Sequence, residues 1–324
     1  MRDLISSIWA RTSSSVATGL RFAEPIRRGP VLWLTLCGGL LVAAIFAGTI
    51  MMIDEFRERA LSNSERELEN TVMLLARHFE QEFDDSEAVA ADVITQMQIS
   101  DTASPEIFRE RMSTPQAHHM LQSKVSALSY IGDVAVFDSE GKLINWSRPS
   151  PVPDIGIVDR AYFRTFKSDP QSAPILAEPA RSYIDGSWTT VVAHRLSGPG
   201  GVFLGVMSRH IDPVNYERFF ASLTLGDGAA IAMFHRDGTM LARYPHIDSM
   251  IGQKFKNAPL LHRVLTLGGA QTLRITSPVD GQDRLGAAAE LSHFPVVVIA
   301  TNTASAALAD WRAQTRFLVM AAAL

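Results

Sequence analysis

One stretch of the chain, residues 31–53 (VLWLTLCGGLLVAAIFAGTIMMI), runs for 23 positions without a charged residue. As an α-helix it would be about 34 Å long, enough to cross a hydrocarbon core of roughly 30 Å. A core helix of this length would normally carry a polar face, and a signal peptide would have a shorter apolar region. The pattern therefore predicts a transmembrane helix over residues 31–53, with the single cysteine, Cys37, as one of its apolar residues.

The charges before this helix predict its orientation. Five arginines and two acidic residues precede it, and Arg27 and Arg28 stand directly at its start. Because short segments rich in lysine and arginine stay in the cytoplasm, residues 1–30 are predicted to form a cytoplasmic segment. The chain from residue 54 onward is then predicted to be extracytoplasmic.

A second apolar run begins at Phe317 and reaches the last residue, Leu324. Eight residues cannot cross a bilayer as a helix. We interpret residues 317–324 as the start of a truncated second transmembrane helix, with a short apolar tail as the alternative. Residues 304–316 are then an exit helix that leads into it.

Residues 54–97 are predicted to form one long helix outside the membrane. Its apolar residues recur at intervals of four, three, four and four: Leu68, Val72, Leu75, Phe79 and Phe83. The other faces are rich in charged residues. Such a stripe can pack on a domain or pair with a second copy of the same helix, which would make the protein a homodimer. Both alternatives stay open at this point.

The rest of the chain repeats one pattern. AVFDSEGKLINWSRP and AMFHRDGTMLARYPH match when Gly141 and Gly238 are placed in register, about 97 residues apart. Each copy is predicted to contain a hairpin, a short helix and a three-stranded antiparallel meander. The predicted fold class is therefore α+β: a long helix followed by two tandem modules with antiparallel sheets, over residues 98–223 and 224–303.

Composition and motifs exclude several classes of function. A net charge of −4 and a charged fraction of 20% provide no electrostatic footprint for nucleic acid. One cysteine allows neither an internal disulfide nor a thiolate metal cluster. The sequence contains no Gly-x-Ser-x-Gly, His-Glu-x-x-His or Gly-rich phosphate loop. We therefore expect no catalytic residue, no metal and no cofactor in this chain.

In their order along the chain, these segments resemble the double Cache (PDC-type) extracytoplasmic sensor region of bacterial transmembrane receptors. The segment IVDRAYFRTFKSDP, residues 157–170, contains a form of the family's pocket-helix motif at Asp159-Arg160-Ala161-Tyr162-Phe163. GVFLGVMSRHIDP resembles the family's closing strand, and DSMIGQKF resembles the connecting segment of the second module. The resemblance covers residues 31–324.

This resemblance implies PAS-like modules, of which the first, residues 98–223, is membrane-distal and holds a small ligand. The second, residues 224–303, is membrane-proximal. Such receptors signal to a histidine kinase, diguanylate cyclase or chemotaxis output domain, which we expect only in a longer parent protein. The implied location is the bacterial inner membrane, with residues 54–316 in the periplasm and membrane lipid around the transmembrane helices.

The resemblance also implies a set of ligand-binding residues. In amino-acid-binding members, an arginine and an aromatic residue of the pocket helix hold the ligand carboxylate, and Arg160 and Tyr162 match these positions. A guanidinium binds a carboxylate through two parallel hydrogen bonds. Tyr183 and Asp185, in the segment RSYIDGSW, match positions of further polar contacts, and Trp188 is a candidate either for the pocket or for packing.

One position departs from the amino-acid-binding pattern. Where those members carry an aspartate for the ligand amine, near the end of the closing strand, this chain has His210. A histidine cannot balance an ammonium group, but it can donate a hydrogen bond to an anion. The expected function is therefore sensing of a small organic anion in the first module. The alternative is a membrane-anchored interaction protein whose modules bind a protein partner.

Overall fold

The computed structural model describes the chain at residues 28–97, 99–126, 132–176, 179–183, 186–223, 225–255 and 257–323. The expectations for residues 1–27 and for Asp185 lie outside these ranges. The chain divides into two compact units, one of residues 1–55 and 314–324 and the other of residues 56–313.

The first unit contains the apolar helix that the sequence predicts. Helix α1 runs without a break from Arg28 to Gln96, and its part up to residue 55 belongs to this unit. Large apolar side chains on it, such as Leu34 and Met51, are exposed. The helix is long enough to cross a membrane, and an 18-residue window of it is apolar enough, with a mean hydropathy of 2.3. Exposed apolar surface of this extent is typical of a helix that lies in hydrocarbon.

Within the described ranges, the second unit combines the rest of α1 with seven further helices, the last of which continues into the first unit, and two sheets. The helices are α2 (Pro105–Met112), α3 (Pro115–Ser126), α4 (Ala161–Ser168), α5 (Pro213–Ser222), α6 (Pro259–Leu267), α7 (Ala304–Ala307) and α8 (Ala309–Ala323). The strands are β1 (Val134–Asp138), β2 (Leu143–Trp146), β3 (Ile175–Leu176), β4 (Ala180–Arg181), β5 (Trp188–Ser197), β6 (Phe203–Ile211), β7 (Ala230–His235), β8 (Met240–Tyr244), β9 (Gln271–Thr276), β10 (Asp283–Glu290) and β11 (Val296–Thr303).

The two sheets have the same topology. The first has the order β2-β1-β6-β5-β3, with β4 also paired to β5, and the second has the order β8-β7-β11-β10-β9. In each sheet the last strand of the module returns to lie beside the first, antiparallel to it. The predicted fold class, a long helix with two modules of antiparallel sheet, is confirmed.

The two hairpins turn at equivalent glycines. Gly141 and Gly238 have φ values of +81° and +94°, in the region that favours glycine because it has no Cβ. Both hairpins shift register just before the turn, at Val136/Phe137 and at Met233/Phe234. The internal repeat seen in the sequence is therefore also a repeat of backbone geometry.

Helix α1 covers one face of both sheets. Its predicted stripe is buried and packs with Phe220 of α5 and with Met233 and Val298 of the second sheet. Further along, Val93 packs with Val134 and other residues of the first sheet. The opposite faces are covered by α4 and α6, respectively. The stripe thus serves as a core-facing surface, the first of the two alternatives left open above.

The structure differs from the sequence prediction in two places. Helices α2 and α3 lie before the first hairpin, where no element was predicted. The exit helix is interrupted at Leu308, which separates α7 from α8. The Thr303 hydroxyl starts α7 by accepting a hydrogen bond from the Ala306 N–H at 3.1 Å.

Candidate ligand-binding site

A cavity of about 870 Å³, lined by charged, polar and apolar residues, lies against the first sheet, on the side of α4. Five of the six predicted ligand-binding residues line it: Arg160, Tyr162, Tyr183, Trp188 and His210. They come from α4, its N-terminal cap, the segment after β4, β5 and β6. Asp185 lies outside the described residues. The structure thus brings together residues that are up to 50 positions apart in the sequence.

Strand alternation explains why β5 and β6 contribute to this cavity. Side chains of a strand point alternately to its two faces. Val191 of β5 is paired with His210 of β6, so both point to the cavity face. Their neighbours Val192 and Arg209 are also a pair, and they point to the face that α1 covers.

Helix α4 has one buried face and one end directed to the cavity. Phe163 and Phe166 are buried in the core of the first module, in agreement with the apolar spacing of the segment. Tyr162 is 7% exposed and lines the cavity. Burial raises the pKa of Tyr162, so its hydroxyl stays neutral and can donate or accept a hydrogen bond.

Arg160 caps the start of α4 and lies against Tyr183. The Arg160 guanidinium carbon is 4.2 Å from the centroid of the Tyr183 ring, within the range of a cation–π contact. Its Nη2 donates to the Arg181 carbonyl oxygen at 3.2 Å. Within the described part of the chain, no carboxylate forms an ion pair with Arg160. The neighbouring Asp159 carboxylate interacts with it electrostatically at longer range.

Asp159 fixes the ring of Tyr183. The Tyr183 hydroxyl donates a short hydrogen bond to the Asp159 carboxylate. This bond lowers the pKa of Asp159 and raises the pKa of Tyr183. The Asp159 carboxylate thus holds the Tyr183 side chain by a hydrogen bond, and the Tyr183 ring packs against the Arg160 guanidinium.

Trp188 connects the cavity to the second module. The Arg181 guanidinium carbon lies 4.2 Å from the centroid of the Trp188 ring. On the other side, a Cβ added to Gly252 would lie 3.1 Å from the same ring. Trp188 is also packed against the apolar cluster of the second sheet. It therefore both lines the cavity and packs between modules, and its contact with a ligand stays a prediction.

The end of the cavity near His210 carries acidic side chains. The His210 N–H donates to the Asp133 carbonyl oxygen at 2.8 Å, and Asp133 forms an ion pair with Arg148. Asp212, two residues after His210, also lines the cavity and accepts a hydrogen bond from the Val214 N–H at 2.9 Å. Carboxylates thus lie near His210, and each has a described partner.

Sequence reasoning missed several residues of this site. Asp133, Arg148 and Asp212 line the cavity, and so does His235 from the second module. Asp212 carried a signal, because Asp-Pro is a common start of a helix. The others stand in loops or at strand ends where no spacing pattern predicts convergence.

The structure combines a long helix, two sheets of one topology and a cavity on the first sheet. Together these features define a tandem-module ligand-binding domain. The sequence model of the dCache_1-like family, described as a histidine kinase sensor domain, matches residues 214–301 of this chain. The extracellular domain of rpHK1S-Z16, a protein assigned as a histidine kinase, is 30% identical to this chain. Its structure covers 75% of this chain and 95% of its own length, with a TM-score of 0.64. The chain belongs to this double Cache family of extracytoplasmic sensor domains.

Other solved structures share the fold at low identity. The periplasmic sensory domain of the Campylobacter jejuni chemoreceptor Tlp1 is 12% identical, with a TM-score of 0.61 over 77% of this chain and 98% of its own. The ligand-binding domain of the Pseudomonas fluorescens chemoreceptor CtaA, solved with L-isoleucine, is 14% identical, with a TM-score of 0.55 over 78% and 98%. No curated protein sequence matches the chain.

Proposed function

We propose that this chain is the input region of a transmembrane signalling receptor and that its first cavity binds a small metabolite with a carboxylate group. The observation that carries the proposal is the placement of Arg160. Its guanidinium faces a cavity, is held against the Tyr183 ring, and forms no ion pair in the described part of the chain, although the charge of the neighbouring Asp159 acts on it at longer range. Such a group binds a carboxylate with favourable charge and geometry.

The proposed ligand lacks an amine. His210 occupies the strand position that faces the cavity, and it offers no negative charge to an ammonium group. Among the described cavity residues, three aspartates accept hydrogen bonds: Asp133 from Arg148, Asp159 from Tyr183 and Asp212 from a backbone N–H. A carboxylate that accepts one or two hydrogen bonds can still accept another, so the proposal that the ligand lacks an amine rests on His210. Two solved domains that share the fold contain amino acids, Mlp24 asparagine and CtaA L-isoleucine, so amino acids are the natural comparison in the test.

Signalling would follow from the packing of α1. This helix packs in two clusters of buried residues, one that includes residues of both modules and one that includes residues of the first sheet. A shift of the first sheet on ligand binding would therefore displace the helix. We propose that α1 and α8 carry this shift across the membrane to an output domain outside this chain, and that the receptor lies in a bacterial inner membrane.

The test is a ligand screen on the full chain in lipid nanodiscs, with thermal unfolding as the readout. Simple mono- and dicarboxylates, amino acids and neutral amides would be compared at equal ionic strength. We expect a carboxylate to raise Tm, because a ligand that binds only the folded state stabilises it. The Arg160→Ala variant should lose this rise, since a charge-assisted bidentate contact is removed.

Arg263→Ala is the matched control, because Arg263 stands exposed on α6, the equivalent helix of the second module. It should keep the full response. If an amino acid raised Tm more than every simple carboxylate, the proposal that the ligand lacks an amine would be wrong, while the proposed Arg160 contact would still stand. A broad panel without any hit would refute metabolite sensing and favour binding of a protein partner.

A further inference from the structure

We propose that the second module has a ligand site of its own, a cavity of about 80 Å³ that binds a short-chain carboxylate of two to four carbons through Arg243. This site is distinct from the first cavity and does not depend on the function proposed for it. Its occupant would make the domain a receptor for two ligands.

The cavity occupies the place in the second module that the first cavity occupies in the first. Both lie on the side of the sheet opposite α1, beneath the helix that follows the hairpin. In the second module the walls come from β7, β8, β9, β10 and β11 and from the start of α6. They are mainly apolar, with Ala232, Phe234, Leu260 and Ile299 among them.

Two buried arginines line this apolar cavity. Arg243 is 8% exposed and Arg284 is 7% exposed. A buried charge without a partner is costly, so each guanidinium needs an explanation. The two arginines differ in how the protein satisfies them.

Arg284 has a structural role. Its Nη2 lies 2.6 Å from the Asp280 carboxylate, and its Nη1 donates to the Gly228 carbonyl oxygen at 2.7 Å. A further contact joins Nη1 to the Thr301 hydroxyl at 3.3 Å. These bonds connect three segments of the second module and satisfy most of its donors.

Arg243 has much less support. Its Nη1 donates to the Pro245 carbonyl oxygen, and among the described residues none forms an ion pair with it. Burial lowers the pKa of Arg243, the charge of Arg284 lowers it further, and Asp280 offsets part of this effect. Two guanidiniums thus share one carboxylate beside an apolar cavity, and one bound monoanion would balance the charge.

The internal repeat argues against packing as the reason why a charged residue stands at position 243. In the first module Trp146 of β2 pairs with Ala135 of β1, and in the second Arg243 of β8 pairs with Ala232 of β7. Trp146 is a core residue at 8% exposure. The same position in the same topology is therefore filled by an apolar side chain in one module and by a charged side chain beside a cavity in the other.

The size and lining of the cavity define the ligand class. Each water occupies about 30 Å³ in the liquid, so 80 Å³ corresponds to between two and three waters. Acetate, propionate or butyrate would place the carboxylate on Arg243 and the alkyl group among the apolar walls. Phosphate or sulfate would leave polar oxygens against carbon, which is unfavourable.

The test uses propionate on the full chain in lipid nanodiscs, in the Arg160→Ala background so that the first cavity does not contribute. Propionate should raise Tm in a saturable way, whereas chloride at equal ionic strength and neutral propionamide should not. Adding Arg243→Met should raise the propionate concentration at the midpoint of the Tm shift at least about tenfold, because it keeps an unbranched apolar stem and removes the charge. Adding Ala232→Leu should abolish the response by filling the cavity.

Each result decides the proposal. Because Arg243→Met can change Tm by itself, only the propionate-dependent shift is compared. If either variant does not fold, the other still answers the question, since one removes charge and the other removes space. The proposal is overturned if propionate has no saturable effect on Tm or if propionamide raises Tm equally well. It is also overturned if the propionate concentration at the midpoint is the same with and without Arg243→Met.

Discussion

The Arg181 guanidinium lies 2.8 Å from the carboxylate of Asp248, which joins β4 of the first module to the short 3-10 turn at residues 248–250 of the second. The same guanidinium stacks on Trp188 and donates to the Gly186 carbonyl oxygen at 3.1 Å. One side chain therefore touches the first cavity wall, its own loop and the other module. This arrangement ties the position of the wall to the position of the second sheet.

We predict that the ion pair itself contributes little to stability. Arg181 and Asp248 have side-chain exposures of 50% and 59%, and exposed pairs contribute about 0–1 kcal/mol. A double-mutant cycle with Arg181→Ala and Asp248→Ala should give a coupling energy in that range, which decreases at about 0.5 M salt. A coupling above about 2 kcal/mol would contradict this.

The contact between Gly252 and Trp188 allows a sharper test of the cavity wall. Gly252→Ala would place a Cβ 3.1 Å from the Trp188 ring at a φ of +78°. We expect a loss of about 1–2 kcal/mol from backbone strain and a weaker response to the first-cavity ligand, because the ring must move. Thermal unfolding with and without ligand measures both effects.

Gly281→Ala provides the control for this substitution. Gly281 has a φ of +68°, and an added Cβ would meet nothing within 4 Å. It should show a similar loss of stability with an unchanged ligand response. If both variants weaken the ligand response equally, the wall contact has no role in binding.

Phe79 is predicted to be the most sensitive position on α1. It is fully buried, and its ring lies 5.3 Å from Tyr216 and 5.8 Å from Phe220, edge to face in both cases. Phe79→Ala should cost about 3–5 kcal/mol and lower Tm by on the order of 10 °C. Leu74→Ala, at a 66% exposed position of the same helix, should shift Tm by less than about 2 °C. If the two variants lowered Tm equally, Phe79 would not be a main core contact of α1.

Glu82 should make stability depend on pH. Burial raises its pKa from 4.5 to about 7, although Arg209 partly opposes the shift. Between these values the folded state holds a proton that the unfolded state has lost, so stability falls as pH rises from about 4.5 and the loss is complete above about pH 7. Because Glu82 is partly exposed, we expect a loss on the order of 1–3 kcal/mol.

Glu82→Gln measures this contribution, since it cannot ionise. The variant should be more stable than the parent at pH 8, and the difference should shrink toward pH 5 as the parent becomes protonated. Glu67→Gln, at an exposed position of α1, should leave the pH profile as it is. A profile for Glu82→Gln that parallels the parent at every pH would refute the assignment.

Local patterns predicted much of the architecture. The apolar stretch and the stripe from Leu68 to Phe83 each report on one helix, and both features were found. The hairpins were predictable because their turn glycines and alternating strands are signals within about 15 residues. Helices α2 and α3 were missed because each is short and contributes few periodic apolar residues, such as Phe108 and Met112.

The candidate site was predictable only in part. Arg160, Tyr162, Tyr183, Trp188 and His210 were predicted through resemblance, and the structure places them around one cavity. That they bind a ligand remains a prediction.

By itself the sequence determined the long apolar helix, the two hairpins and their repeat, because these depend on short-range periodicity. Only the tertiary structure decided which polar groups meet. Arg181 and Asp248 are 67 residues apart, and no spacing predicts their contact. Likewise, the sequence places Trp146 and Arg243 at equivalent points of a repeat, but only the folded strands place one in a core and the other beside a cavity. Such contacts depend on strand order and loop closure, and these are set by interactions over the whole domain.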